Sequence, residues 1–119
     1  MMRVPMTVVE TAQFIRDATS RMTGGERSDL VFYLAANPEA GVLITDTGGV
    51  RKLRWAVGGR GKSGGVRVIY YYHSPGLPLF VLGLFSKSER ANLSQAERNR
   101  LRVFVKKIVA SYSGRGRLQ

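Results

Sequence analysis

Gly48-Gly49-Val50-Arg51-Lys52-Leu53-Arg54-Trp55-Ala56-Val57, then a glycine-rich loop over 58–65, then Val66-Arg67-Val68-Ile69-Tyr70-Tyr71-Tyr72, form the centre around which the rest of the chain is organised. It contains no acidic residue. The first run alternates, so as a strand it sends Arg51, Leu53, Trp55 and Val57 to one face and Val50, Lys52, Arg54 and Ala56 to the other. After the glycines, a β-branched and aromatic run returns, and a hairpin between the two brings Arg67 alongside Lys52 and Arg54. The expected result is a cluster of fixed positive charge on one face of a sheet. Leu53 and Trp55, on the other side of the alternation, are expected in the core.

Outward from this hairpin the chain reads as α+β. Met6 to Val9 is β-prone, and Thr11 to Met22 carries Phe14, Ile15, Ala18 and Met22 at helical spacing. Thr23-Gly24-Gly25-Glu26 has the form of a capping box, and the helix it opens carries Leu30, Val31 and Leu34 until Asn37-Pro38 ends it. These two helices form a hairpin able to lie on the sheet. Gly41 to Ile44 is a short extended piece, and Asp46-Thr47-Gly48-Gly49 is turn chemistry. Val50 to Val57, Val66 to His73 and Leu79 to Phe85 have connections short enough for an antiparallel meander. The third run is apolar throughout, which places it under cover on both sides.

A second capping box, Ser94-Gln95-Ala96-Glu97, starts the last helix. There Leu101, Phe104, Val105, Ile108, Val109 and Tyr112 form the expected core stripe, with Arg98, Arg100, Arg102, Lys106 and Lys107 off it. Residues 1–112 are expected to form a single domain, and Ser113 to Gln119 reads as a flexible basic tail.

Composition narrows the function. The 119 residues carry 19 Lys+Arg against 8 Asp+Glu, a net charge of +11, which calls for a polyanionic partner, nucleic acid first. With no cysteine, disulfides, thiolate catalysis and zinc-thiolate sites are excluded. The one histidine, His73, stands at a strand end beside Ser74-Pro75-Gly76 and reads as solvent-facing. No carboxylates sit at metal-ligand spacing, so neither metal nor cofactor is expected. The apolar runs fall short of a membrane helix, no signal peptide is evident, and a cytoplasmic protein is expected.

Ala56-Val57-Gly58-Gly59-Arg60-Gly61-Lys62-Ser63 imitates a relaxed phosphate loop. That motif requires a helix after the loop, whose amides hold the phosphates, whereas Gly64-Gly65 and a strand follow here. A cationic hairpin loop that follows a nucleic-acid backbone is the better reading.

The segment Gly48 to Arg54, the glycine loop and Gly65 to Tyr71, with Phe85-Ser86-Lys87-Ser88-Glu89 and Leu93, resembles the HigB branch of the RelE/ParE superfamily of bacterial toxins. The resemblance implies a RelE-like fold, with two N-terminal helices packed on an antiparallel sheet and a C-terminal helix. It implies an endoribonuclease that cuts messenger RNA in the ribosomal A site, and a cognate antitoxin that often carries a helix-turn-helix domain. The family's paired basic strand positions fall on Lys52 and Arg54, its next basic strand position on Arg67, and its lysine after the last strand on Lys87. RelE itself has an arginine directly after that lysine and a tyrosine further on, where this chain has Ser88 and Ser94. Arg90, or a ring from Tyr70 to Tyr72, could stand in.

RNA carries its own nucleophile, so an enzyme need only align the 2′-OH with the adjacent phosphate, move two protons and stabilise the phosphorane. Neighbouring cations favour the neutral form of a lysine, which makes Lys52 the candidate general base. Arg54 and Arg67 would clamp the phosphate, and Lys87 would serve as acid or second clamp. Arg51, Arg60, Lys62 and Arg90 are candidate RNA contacts, as are Arg115 and Arg117. Two other readings compete: a non-catalytic ParE-like toxin acting on gyrase, and a plain RNA-binding module.

Overall fold

In a computed structural model, described over residues 5–58 and 65–117 with side chains as far as Tyr112, the elements run in the order β1 Val8–Glu10, α1 Ala12–Thr19, α2 Gly24–Ala36, β2 Val42–Leu43, β3 Val50–Trp55, β4 Val66–Tyr71, β5 Leu79–Ser86 and α3 Gln95–Arg117. The five strands form one sheet in the order β1-β5-β4-β3-β2. The meander β3-β4-β5 is antiparallel, as its short connections require, and β2 joins it antiparallel at one edge. At the other edge β1 runs parallel to β5, a pairing that its short β-prone sequence does not reveal.

Both faces of the sheet are covered. On one side, Phe14 and Ala18 of α1 and Leu30 and Leu34 of α2 pack on Val66, Val68 and Tyr70 of β4 and on Leu79, Val81 and Leu84 of β5. On the other, Val105 and Ile108 of α3 pack on Val50, Ile69, Tyr71, Phe80, Leu82 and Phe85. Residues 79–85 of β5 are accordingly buried on both faces, as their unbroken apolar run requires. Leu53 and Trp55 join the α1/α2 side, where Trp55 meets Tyr33 at 5.3 Å between ring centroids.

Caps and buried hydrogen bonds fix these elements. In the Thr23 capping box, the hydroxyl accepts from the Glu26 N–H at 3.1 Å and the Glu26 carboxylate accepts from the Thr23 N–H at 2.9 Å. Ser94 and Glu97 repeat the exchange at 3.1 and 2.8 Å. The Tyr70 hydroxyl, fully buried, donates to the Pro38 carbonyl at 2.9 Å and accepts from the Gly41 N–H at 2.7 Å. It thereby ties the α2–β2 connection to the middle strand, and burial raises the phenol's pKa above its ordinary value. Before β3, Gly48 and Gly49 take φ of 76° and 113°, a bend open to glycine. The buried Thr47 hydroxyl closes the turn, donating to the Ile44 carbonyl and accepting from the Val50 N–H.

The last helix departs from its expected stripe. Phe104 is 44% exposed, not in the core, and Arg98 and Arg102 lie at the sheet-facing edge, in helical phase with Val105. Arg102 shows the same orientation by donating to the Asp46 carbonyl at 2.8 Å, in the turn before β3. The backbone of α3 is helical to Arg117.

Candidate active site

The β3–β4 ladder sets the geometry. Its register opposes Arg54 to Arg67 and Lys52 to Ile69, and the alternation puts Lys52 and Arg54 on the same face as Val50, the face of α3. Arg67 shares that face with Ile69 and Tyr71. It is 7% exposed, between Arg54 on β3 and Phe85 on β5. The hairpin can close this tightly because residue 65 is glycine: a side chain there would collide with the Trp55 carbonyl. Lys52, Arg54 and Arg67 are thus brought together, Lys52 one step along the face from the directly opposed arginines.

Lys87 begins the turn after β5, and its N–H reaches the Gly65 carbonyl at 3.5 Å. Since Ser86 pairs with Val66, Lys87 stands at the same end of the sheet as Arg67 and Arg54, and it is exposed. The turn is held by Glu89, which accepts from the Ser86 N–H at 2.8 Å and from both Nε and Nη2 of Arg21 at 2.8 and 2.7 Å. These bonds, the Arg21 guanidinium foremost, lower the Glu89 pKa to about 2. The same pair raises the Arg21 pKa.

The remaining candidate contacts separate. Arg51 is on the opposite face, donating to the Gly41 carbonyl at 2.8 Å and paired with Glu39 at 3.9 Å, so it does not join Lys52 and Arg54. Arg90 lies over the Phe85 ring at 4.6 Å and is held by both Glu97 oxygens at 2.7 Å. It borders the cluster through Phe85, with its charge already paired. Arg60 and Lys62 lie outside the described residues. His73 is exposed, its Nδ1 2.9 Å from the Tyr71 hydroxyl.

Two residues at the site escape the sequence reading. Asn92, in the turn before α3, accepts from Lys52 Nζ through Oδ1 at 3.3 Å and holds the lysine over the sheet. Arg98, in the first turns of α3, is in helical phase with Val105, which packs on that face. Nothing in the alternation of β3 points to either, because both belong to a segment distant in sequence. A groove of about 990 Å³ between α1, β5 and α3 is lined by Leu82, Phe85, Leu101 and Phe104 among others, and by none of Lys52, Arg54 or Arg67. Lys52, Arg54 and Arg67 therefore lie outside this groove. Among the described residues no group of three or more His, Cys, Asp or Glu could hold a metal ion, and no helix is long and apolar enough to cross a membrane.

A model of the family described as "RelE toxin of RelE / RelB toxin-antitoxin system" matches residues 6–115. RelE toxins pair with RelB antitoxin, and they are typically ribosome-dependent endoribonucleases. The match takes in every element from β1 almost to the end of α3, including the three strands that assemble the cationic face, and so the chain belongs to the RelE toxin family, the toxin side of a type II toxin-antitoxin system.

Proposed function

We propose that this protein is a HigB-like endoribonuclease that cuts messenger RNA in the ribosomal A site through the cluster Lys52, Arg54, Arg67 and Lys87. The observation that carries the reading is the direct opposition of Arg54 and Arg67 beside Lys52. Two arginines in direct register beside a lysine present planar donor forks suited to the oxygens of a phosphodiester.

Lys52, oriented by Asn92, takes the proton from the 2′-OH, whose oxygen attacks the adjacent phosphorus. Arg54 and Arg67 hold the non-bridging oxygens as negative charge accumulates on the phosphorane, a task for a donor that stays protonated. The bond from phosphorus to the 5′-oxygen breaks, and Lys87 supplies a proton to that oxygen. The products are a 2′,3′-cyclic phosphate and a 5′-hydroxyl. Messenger RNA and ribosome supply the substrate. The partner is a cognate antitoxin with a helix-turn-helix domain, and the site of action is the cytoplasm.

Toeprinting on translating ribosomes tests this. Wild-type protein should give discrete cuts that disappear in Lys52→Ala and Arg54→Ala while thermal melting is preserved. Intact transcripts together with gyrase-linked DNA damage would favour the ParE-like alternative, and RNA binding without any cut would favour a simple binding module.

A further inference from the structure

Arg98 has a buried Nε with no hydrogen-bond partner among the described residues. Such a donor ordinarily finds an acceptor, because leaving it unpaired forfeits the hydration it had in the unfolded chain. Its neighbours along the chain are all engaged. Glu97 is taken by Arg90, and Asn99 Oδ1 accepts from Gln95 and from Arg102. The ion pairs Arg21–Glu89, Arg27–Glu10, Arg51–Glu39 and Arg90–Glu97 leave Arg98 out.

Its place follows from contacts on either side. Asn92, six residues earlier, meets Lys52, while Arg102, one turn later, meets Asp46, and a side chain at Gly48 would touch Val105 and Arg102. The start of α3 therefore runs over β3 from Lys52 back toward the turn at Gly48. Arg98 lies between these two contacts, in phase with Arg102 and Val105, and so faces the stretch of β3 that carries Val50 and Lys52.

We propose that Arg98 is a phosphate-binding residue of the site, holding the RNA backbone at a phosphate beside the one cleaved, on the Lys52 side of the cluster. This rests on the RNA-cleaving reading above. Arg51 Nε is unpaired too, but the Arg51 guanidinium is held through Nη1 by the Gly41 carbonyl; Arg98 has no acceptor for any guanidinium nitrogen among the described residues, and a guanidinium suits a phosphodiester oxygen. The proposal also explains why the start of α3 carries an arginine at a sheet-facing position where an aliphatic residue would pack without cost.

Titration of a single-stranded RNA oligonucleotide over a series of salt concentrations tests it, with wild type, Arg98→Met, Arg98→Lys and Lys52→Ala measured together. Each phosphate contact contributes about 0.7 to the slope of log affinity against log salt for a single strand. Arg98→Met should lose about that much slope and about tenfold in affinity. Its melting temperature should be equal to or above that of wild type, since an unpaired buried donor is removed and the aliphatic packing is kept. Arg98→Lys should recover the slope. An unchanged slope and affinity in Arg98→Met, with Lys52→Ala weakened, overturns the role of Arg98 and leaves the nuclease reading intact. Failure of wild type itself to bind the oligonucleotide overturns the Arg98 contact, while the nuclease reading falls only if wild type also gives no cuts in the toeprinting assay. A large fall in melting temperature in both Arg98→Met and a second neutral variant, Arg98→Gln, shows that the guanidinium serves the fold, and that also overturns the proposal.

Discussion

Arg54→Thr should make the protein more stable and less active. Arg54 is exposed at the end of β3 and faces Arg67 in register, where directly opposed side chains begin about 5 Å apart. Like charges so placed cost a sheet roughly 0.2–1 kcal/mol. Salt weakens that repulsion without abolishing it, since the separation is shorter than the screening length of about 8 Å at physiological ionic strength. Threonine keeps the β-branched preference of a strand and removes one of the two charges. A gain of about 0.5 kcal/mol follows, which for a domain of this size is a rise in melting temperature of about 2–3 °C. The gain should be greater in dilute salt and shrink as salt is added. Cleavage on the ribosome should fall by about a hundredfold, the usual cost of removing one donor that stabilises a transition-state anion. Thermal melts at low and high salt, paired with single-turnover cleavage, measure both. A lower melting temperature than wild type at low salt, or cleavage retained, would refute the idea that Arg54 serves the reaction rather than the fold.

Four further outcomes can be checked. Tyr70→Phe leaves the Gly41 N–H and the Pro38 carbonyl without their buried partner and should cost about 1–3 kcal/mol in urea denaturation. Gly65→Ala places a methyl against the Trp55 carbonyl and should yield little folded protein, judged by far-ultraviolet circular dichroism of the purified chain. The Glu89 pKa is lowered from 4.5 to about 2 in the fold, so its contribution is full above 4.5 and is lost as pH falls toward 2. Wild type should therefore melt above Glu89→Gln at neutral pH, with the difference closing across that acid window. Asn92→Ala removes the only described acceptor that orients Lys52 Nζ and should lower the cleavage rate more than RNA affinity, read from a kcat against KM split.

Much of this architecture can be read directly from the chain because local chemistry and tertiary structure agree. The alternation of β3 separates Leu53 and Trp55 from Lys52 and Arg54, both capping boxes form as written, and the apolar run of β5 is covered on both faces. What escapes notice depends on long-range placement. β1 is three residues long, and its parallel partner lies some seventy residues away, so no local pattern sets its direction. Helical spacing identifies a stripe on α3 but not its exact edge. Phe104 falls on the open side and Arg98 on the sheet side because Gly48 lets the helix approach the β3 turn at Val105 and Arg102. Composition suggests a cationic face, and the register narrows it. Arg51 is turned away by the pleat and Arg90 is neutralised by Glu97, while Lys52, Arg54 and Arg67 remain together.

The most direct measurement uses a messenger RNA with a single 2′-deoxynucleotide at the mapped cut, presented in the A site of translating ribosomes. If lysine and arginine side chains direct an attack by the RNA's own hydroxyl, that message stays whole while its all-ribose counterpart is cut to a 2′,3′-cyclic phosphate end. Cleavage of the deoxy-substituted message at the same bond would show that the nucleophile comes from elsewhere and that the Lys52, Arg54 and Arg67 face has another purpose.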